Sequence, residues 1–139
     1  MPNTREELSK YSLNPDNSVV IGSEILEELG MRKSNDLDVV VEEKKLNEII
    51  QEFDFDTVDD PTSGRLFTDG KIEISDMLYI RHDDQQIQIS YEELVENSCI
   101  INRVRYITPE FLLEVKKEWN RDKDRKDIEF LEEFLEGNK

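Results

Sequence analysis

Two aspartates spaced two residues apart, Asp36 and Asp38, stand where a strongly apolar segment begins. In a β-strand, residues i and i+2 project from the same face, about 6.6 Å apart along the backbone, so their oxygens can converge on one divalent cation. A carboxylate in an apolar strand costs desolvation energy unless something cationic compensates it. Mg²⁺ suits this pair because it takes hard oxygen ligands and completes its shell with water and substrate phosphates, and Mn²⁺ is the alternative ion.

A Gly-Ser pair, Gly22-Ser23, ends the preceding apolar run and precedes the two aspartates by one helix-length spacer. Glycine permits close backbone approach, and the amides of a helix's first turn form an anion site, helped by a serine hydroxyl. The connection after the first strand therefore offers hydrogen-bond donors to phosphate groups. The next strand offers carboxylate ligands for a metal ion that would bind the same phosphates.

Hydrophobic periodicity predicts the elements that position these residues, and together they indicate an α/β fold. Helices are expected over residues 4–12, 23–29, 42–53, 91–96, 109–119 and 124–135, with Ser23 as an N-cap and Gly30 closing the second helix. Strands are expected over 18–21, 37–41, 65–68, 72–75, 77–80 and 87–90, with one more inside 100–107. We expect the four strands from 65 to 90 to continue one sheet by antiparallel pairing through two hairpins.

Length and composition place the chain in a broad class. Its 139 residues fit a single domain, with an N-terminal helix and turn over 1–17, a sheet core over 18–107 and C-terminal helices over 108–139. Cys99 is the only cysteine, which favours a reducing cytoplasm and a small buried side chain. We expect no membrane segment, because no apolar run approaches about 20 residues.

The charge balance bears on partners. The chain carries 34 acidic and 18 basic residues, a net charge of −16. A protein of this charge repels phosphate backbones at long range, so general nucleic-acid binding is disfavoured. The only histidine, His82, is expected in an exposed hairpin loop, which gives little support to a histidine-based zinc or triad site.

Two segments carry a family resemblance. Gly22-Ser23, twelve intervening residues and then Asp36-Leu37-Asp38-Val39 resemble the signature of the DNA polymerase beta-like nucleotidyltransferase superfamily. The C-terminal segment ITPEFLLEVKKEWNRDKDRKDIEFL is similar to the tail of many small members. On that tail motif the matching positions are Lys116, Arg121, Lys123, Asp124 and Asp127.

The resemblance implies a mixed β-sheet flanked by α-helices, with C-terminal helices on it, and transfer of a nucleotidyl group from a nucleoside triphosphate with release of pyrophosphate. It implies Asp36 and Asp38 as metal ligands and a third acid on a later strand, which acts as base and ligand. Glu73, between two isoleucines, is favoured for that place over Asp76.

The resemblance also implies phosphate contacts for three basic residues. Arg32 and Lys33 could neutralise the departing pyrophosphate, although they could instead complement a helix dipole. Lys116 could reach the phosphates from the C-terminal helix. A structural role is favoured for Asp124 and Asp127, as partners of Lys123 or Arg121.

The sequence does not specify the acceptor of the nucleotidyl group. A small molecule or a protein is preferred over RNA because of the net charge, and a partner protein or a second copy of the chain is allowed. Glu24 follows the Gly-Ser pair at the point where phosphate would dock, and the chain is short for an active member. The alternative is therefore a non-catalytic, antitoxin-like binding or regulatory protein on the same fold.

Overall fold

The computed structural model describes residues 4–22, 24–30, 37–58, 66–82, 85–119 and 122–137. The described helices are α1 (Thr4–Ser9), α2 (Glu24–Glu28), α3 (Glu43–Glu52), α4 (Tyr91–Glu96), α5 (Pro109–Trp119) and α6 (Arg125–Gly137), with a 3₁₀ turn at Asp122–Asp124. The described strands are β1 (Ser18–Val20), β2 (Leu37–Val41), β3 (Asp56–Val58), β4 (Leu66–Thr68), β5 (Ile72–Ser75), β6 (Met77–His82), β7 (Gln85–Ser90), β8 (Ser98–Ile101) and β9 (Val104–Ile107).

Seven of these strands form one mixed sheet in the order β3-β4-β5-β2-β1-β9-β8. Its central strand β2 pairs parallel with β5 and antiparallel with β1, while β1 runs parallel to β9. The chain is thus mixed α/β, as the periodicity predicted.

The middle of the sheet is buried on both faces. Val19, Val39, Val40 and Ile74 each expose 1% or less of their surface, although neighbouring residues in a strand point to opposite faces. Helices therefore have to cover both sides, and the continuous β-branched runs in the sequence reflect that environment.

Most predicted elements are confirmed, and their ends move by a few residues. The expected strand over 37–41 has those bounds, and Gly30 ends α2 with a φ of +77° while its amide donates to Glu27 O at 3.0 Å. A left-handed residue is the usual end of a helix, and glycine adopts it at little cost. The turn at Asp69 and Gly70 joins β4 to β5 as predicted.

Three expectations about the strands were wrong. The β6–β7 hairpin forms a separate two-stranded sheet instead of continuing the main one, and β5 joins β2 by parallel pairing. The single strand expected inside 100–107 is the hairpin β8–β9, turned at Asn102 and Arg103 with φ of 52° and 65°. Strand β3, which follows α3, has no counterpart among the expected strands. Strand pairing depends on contacts distant in sequence, which local periodicity does not encode.

None of the helices in the described residues is both long enough and apolar enough to cross a bilayer.

The N-terminal segment is fastened to the turn between β4 and β5. The Tyr11 hydroxyl donates to the Asp69 carboxylate, and the Tyr11 ring lies 4.8 Å from that of Phe53, centroid to centroid. Partial burial opposes ionisation of Asp69, but hydrogen bonds from Tyr11 and from the amides of Ile72 and Lys71 outweigh it and lower the pKa of that carboxyl. The ionised carboxylate therefore holds the turn and the N-terminal segment together.

We predict that Tyr11→Phe lowers the free energy of unfolding by about 1 kcal/mol at neutral pH, because it removes a hydrogen bond to a partly exposed charged group. A group with a lowered folded pKa stabilises above its unfolded pKa, and that contribution is lost as the pH falls through the folded value. The deficit of the variant should therefore shrink in acid. Urea unfolding at neutral pH and at about pH 3 measures it.

Tyr91→Phe is the matched control for this change. Its hydroxyl donates to the backbone carbonyl of Asp16 at 3.2 Å, which does not titrate. The same deficit at both pH values is expected for this control. If Tyr11→Phe behaves like the control, the Asp69 carboxylate does not hold the N-terminal segment.

Candidate functional site

The two parts of the predicted motif are in contact. Gly22 follows β1, and a Cβ placed on it would lie 2.7 Å from Asp38 Oδ2 and 3.3 Å from Asp38 Cβ. The amide of Ile21 donates to the carbonyl of Asp38 at 2.9 Å, which fixes the two strands at this level. Glycine is favoured at position 22 because the Asp38 side chain occupies part of the space that a larger residue would need.

Asp38 and Glu73 are side by side on adjacent parallel strands. The register of β2 and β5 pairs Asp38 with Glu73, so both side chains project from the same face about 4.8 Å apart at the backbone. Both residues are half-buried. Like charges placed opposite each other in a sheet are destabilising, so a cation between these carboxylates would lower the energy of the strands.

The rival acid, Asp76, lies at the other end of β5. It lines an open cavity of about 510 Å³ together with Glu42 and Asn47 of the α3 segment and Tyr91 of α4. Asp76 follows the carboxyl end of β5, whereas Glu73 is in register with Asp38. The strand register therefore brings Glu73, and not Asp76, beside the first acidic pair.

Glu24 turns toward the N-terminal helix. Its side chain is only 6% exposed, and its Oε2 accepts a hydrogen bond from the Thr4 hydroxyl at 2.9 Å. Tyr106 is buried nearby, and burial, followed by the Glu28 carboxylate, raises the pKa of its hydroxyl. The Glu24 carboxylate, which follows the Gly-Ser pair predicted to bind phosphate, is thus hydrogen-bonded to α1.

Lys116 is part of a buried ion cluster that joins the two C-terminal helices. Its Nζ lies 3.1 Å from Asp124 Oδ1 and 3.2 Å from Asp127 Oδ2, and the residue is 3% exposed. Asp124 and Asp127 have the structural role expected, with Lys116 as the partner in place of Lys123 or Arg121. A lysine held between two carboxylates has a positioning role that the sequence spacing did not indicate.

Several predicted site residues lie outside the described residues, namely Ser23, Arg32, Lys33 and Asp36. Within the described ranges no group of three or more acidic, histidine or cysteine side chains has the arrangement of a metal site. Two of the three predicted acids, Asp38 and Glu73, are in register, and the third falls on the undescribed residue 36.

Two features of this region were missed by sequence reasoning. The cavity beside Asp76 draws its lining from α3, β6, β7 and α4, so no spacing within one segment groups those residues. The bond from Thr4 to Glu24 joins residues twenty apart. The only sequence signal for the bond to Thr4 was the acidic residue Glu24 beside the apolar residues of a short helix. A charged side chain that becomes buried there needs a partner.

Comparisons were made with protein-family models, with curated proteins and with solved structures, and none gave a match.

We predict that Gly22→Ala lowers the free energy of unfolding by about 1–3 kcal/mol, because the new methyl group overlaps the Asp38 side chain. Rotation of the carboxylate alone does not relieve the overlap, since Asp38 Cβ is 3.3 Å away. The double variant with Asp38→Ala should recover part of the loss. Gly137→Ala is the control, because nothing lies within 4 Å of a Cβ there; equal effects of the two glycine substitutions would contradict the contact.

We predict that Lys116→Met costs about 3–5 kcal/mol of unfolding free energy, because it leaves two carboxylates buried without their ammonium. Lys117→Met, on the exposed side of the same helix, should change stability by under about 0.5 kcal/mol. Denaturant unfolding without any nucleotide measures the free energy of unfolding of both variants. An unchanged midpoint for Lys116→Met would contradict the structural role of Lys116.

Proposed function

We propose that the chain is a metal-dependent nucleotidyltransferase, which moves a nucleoside monophosphate from a nucleoside triphosphate to a hydroxyl of a small molecule, a protein or RNA. The observation that carries the proposal is the register of Asp38 with Glu73 beside Gly22. These residues are far apart in the sequence, and the resemblance to the nucleotidyltransferase superfamily assigns all of them to one site.

The donor set suits the implied metal. Carboxylate oxygens are the protein ligands that Mg²⁺ and Mn²⁺ take, and two half-buried carboxylates on one face would otherwise repel each other. Asp38 and Glu73, together with Asp36, are the residues that would hold the ion. When bound, the ion would supply charge stabilisation to the phosphate oxygens at the reacting centre.

In the proposed reaction, different side chains accept the proton and contact the phosphates. The acceptor hydroxyl attacks the α-phosphorus, the new oxygen–phosphorus bond forms as the bond to the β-phosphate oxygen breaks, and pyrophosphate leaves with the electron pair. Glu73 accepts the hydroxyl proton as general base. Ser23, Arg32 and Lys33 are proposed to contact the phosphates.

The buried ion cluster of Lys116, Asp124 and Asp127 is proposed to position the two C-terminal helices and not to contact the substrate. Lys116 is 3% exposed and already contacts Asp124 and Asp127, so we assign it the positioning of α5 against α6. This replaces the direct phosphate contact that the resemblance implied. The proposal for the acceptor keeps a small molecule or a protein ahead of RNA, because a charge of −16 repels a phosphate backbone.

One observation favours the second candidate, a non-catalytic binding or regulatory protein on this fold. Glu24 is buried two residues after Gly22, and an ionised carboxylate at that place opposes a triphosphate. The two candidates differ in ligand response. A nucleotidyltransferase should melt at a higher temperature with Mg²⁺ and one of the four ribonucleoside triphosphates, since ligand binding to the folded state stabilises it.

We predict that Asp38→Asn lowers nucleotidyl transfer by at least about 100-fold, because it removes a charge needed in the transition state, where one lost electrostatic contact costs about 3–4 kcal/mol. The assay incubates the chain with radiolabelled ribonucleoside triphosphates and Mg²⁺ in a cell lysate and follows which molecule gains label. Asp54→Asn, at an exposed aspartate away from the sheet centre, should keep full activity.

Glu73→Gln separates a role in chemistry from a role in folding. It should abolish transfer and the Mg²⁺-induced rise in melting temperature, yet leave the metal-free melting temperature at least as high as that of the unaltered chain, since a carboxylate repulsion is lost. A chain with no transfer and no nucleotide-dependent shift, alone or with Mg²⁺, would reject the enzyme in favour of the second candidate.

A further inference from the structure

The strand β8 is a short, uncharged edge strand. It is the last strand in the sheet order, and within the described ranges no strand pairs with its outer side. The segment Ser98–Ile101 has no charged residue, and Ile100 is 53% exposed, the most exposed large apolar side chain among the described residues. Edge strands that stay unpaired commonly carry charges, prolines or bulges, so an uncharged apolar edge is suited to pairing with another strand.

The hairpin register identifies the backbone groups that point outward. Ile101 and Val104 flank the two-residue turn, and the Thr108 amide donates to the Asn97 carbonyl at 2.8 Å. Residues 97, 99 and 101 therefore exchange hydrogen bonds with β9, because hydrogen-bonded and non-hydrogen-bonded pairs alternate along an antiparallel ladder. It follows that the amides and carbonyls of Ser98 and Ile100 point away from β9.

We propose that β8 pairs antiparallel with β8 of a second copy of the chain, around a two-fold axis at Cys99, so that the two seven-stranded sheets join edge to edge. In this register Ser98 of each copy lies opposite Ile100 of the other. Both residues present outward groups, so the shared ladder holds four backbone hydrogen bonds. The proposal concerns assembly and is independent of the proposed reaction.

Symmetry and backbone conformation select this register. A two-fold axis perpendicular to a sheet keeps each side chain on its own face, so only centres on a residue are allowed. A centre on Ile100 would pair Ser98 with Asn102, whose φ of 52° is not that of a strand. A centre on Cys99 uses only extended residues.

The charges at the ends of β8 favour a second copy as the occupant. The register brings the turn residue Arg103 of one copy close to Glu96, at the end of α4, in the other. Within one copy these residues are roughly 15–20 Å apart, since six residues, four of them in the extended strand β8, separate them. The acidic surfaces of two copies repel each other at longer range, so the dimer should strengthen as salt screens that repulsion.

Two variants at one position test the backbone pairing. Ile100→Pro removes an outward amide and none that bonds to β9, and proline is tolerated on the outer side of an edge strand. Ile100→Val keeps the amide and a branched side chain. Sedimentation of the full chain over a range of concentrations should show a dimer for the unaltered chain and for Ile100→Val. Ile100→Pro should give a monomer that still unfolds cooperatively and has the far-UV circular dichroism spectrum of the unaltered chain.

A disulfide between the Cys99 residues of two copies would test the proposed register of the β8–β8 pairing. On opposite sides of the axis the two Cys99 residues form a non-hydrogen-bonded pair, with Cα atoms about 4.5 Å apart, within the span of a disulfide. Oxygen with copper-phenanthroline, at mildly alkaline pH, should oxidise the two thiols to a disulfide and yield a covalent dimer. Ile100→Pro should lower that yield at least about tenfold, and Cys99→Ser should abolish it.

Charge reversal tests the choice of partner. Arg103→Glu should weaken the dimer, and combining it with Glu96→Arg should restore it, which a contact within one copy cannot explain at that separation. A chain that stays monomeric at every concentration and salt level would overturn the proposal. So would a dimer that Ile100→Pro leaves intact, or a Cys99 that links only to a different protein in a lysate.

Discussion

The placement of Asp38 is the constraint on which the rest of the site depends. Its side chain occupies the space above Gly22 on one side and is in register with Glu73 on the other. Both contacts exist because β2 lies between β1 and β5 at the centre of the sheet. The Asp38 side chain leaves little room for a residue larger than glycine at position 22.

The structure divides the charged residues into two groups with different uses. Lys116, Asp124 and Asp127 are nearly fully buried and neutralise one another in part, so they join α5 to α6. Asp38 and Glu73 are half-buried and carry charges of the same sign on one face. Buried opposite charges indicate a structural role, whereas the proposed function assigns the two half-buried acids to ligand binding. Lys116 belongs to the first group because both of its partners are buried aspartates.

The N-terminal segment is hydrogen-bonded to two segments that neighbour Gly22 and Glu73 in the sequence. Thr4 engages Glu24, and Tyr11 engages Asp69 on the turn that leads into β5. These two contacts connect the helix after Gly22 with the strand that carries Glu73. The outer edge of the sheet, at β8, is free of charges, and there the chain has the backbone groups for a self-complementary contact. Asp38 and β8 lie on different parts of the sheet, so the proposed reaction and the proposed assembly can be tested with separate variants.

The amino-acid sequence by itself determined the identity and order of most elements, the apolar strands of the core and the residues of the motif. These follow from short-range properties: alternation in strands, the 3.6-residue period of helices, and glycines such as Gly30 that end them. Only the tertiary structure decided that β6 and β7 leave the main sheet, that Glu73 and not Asp76 is in register with Asp38, and that Lys116 is buried between two aspartates. Each of these depends on which distant segments become neighbours, and that choice is made by burial and hydrogen bonding of the whole chain at once.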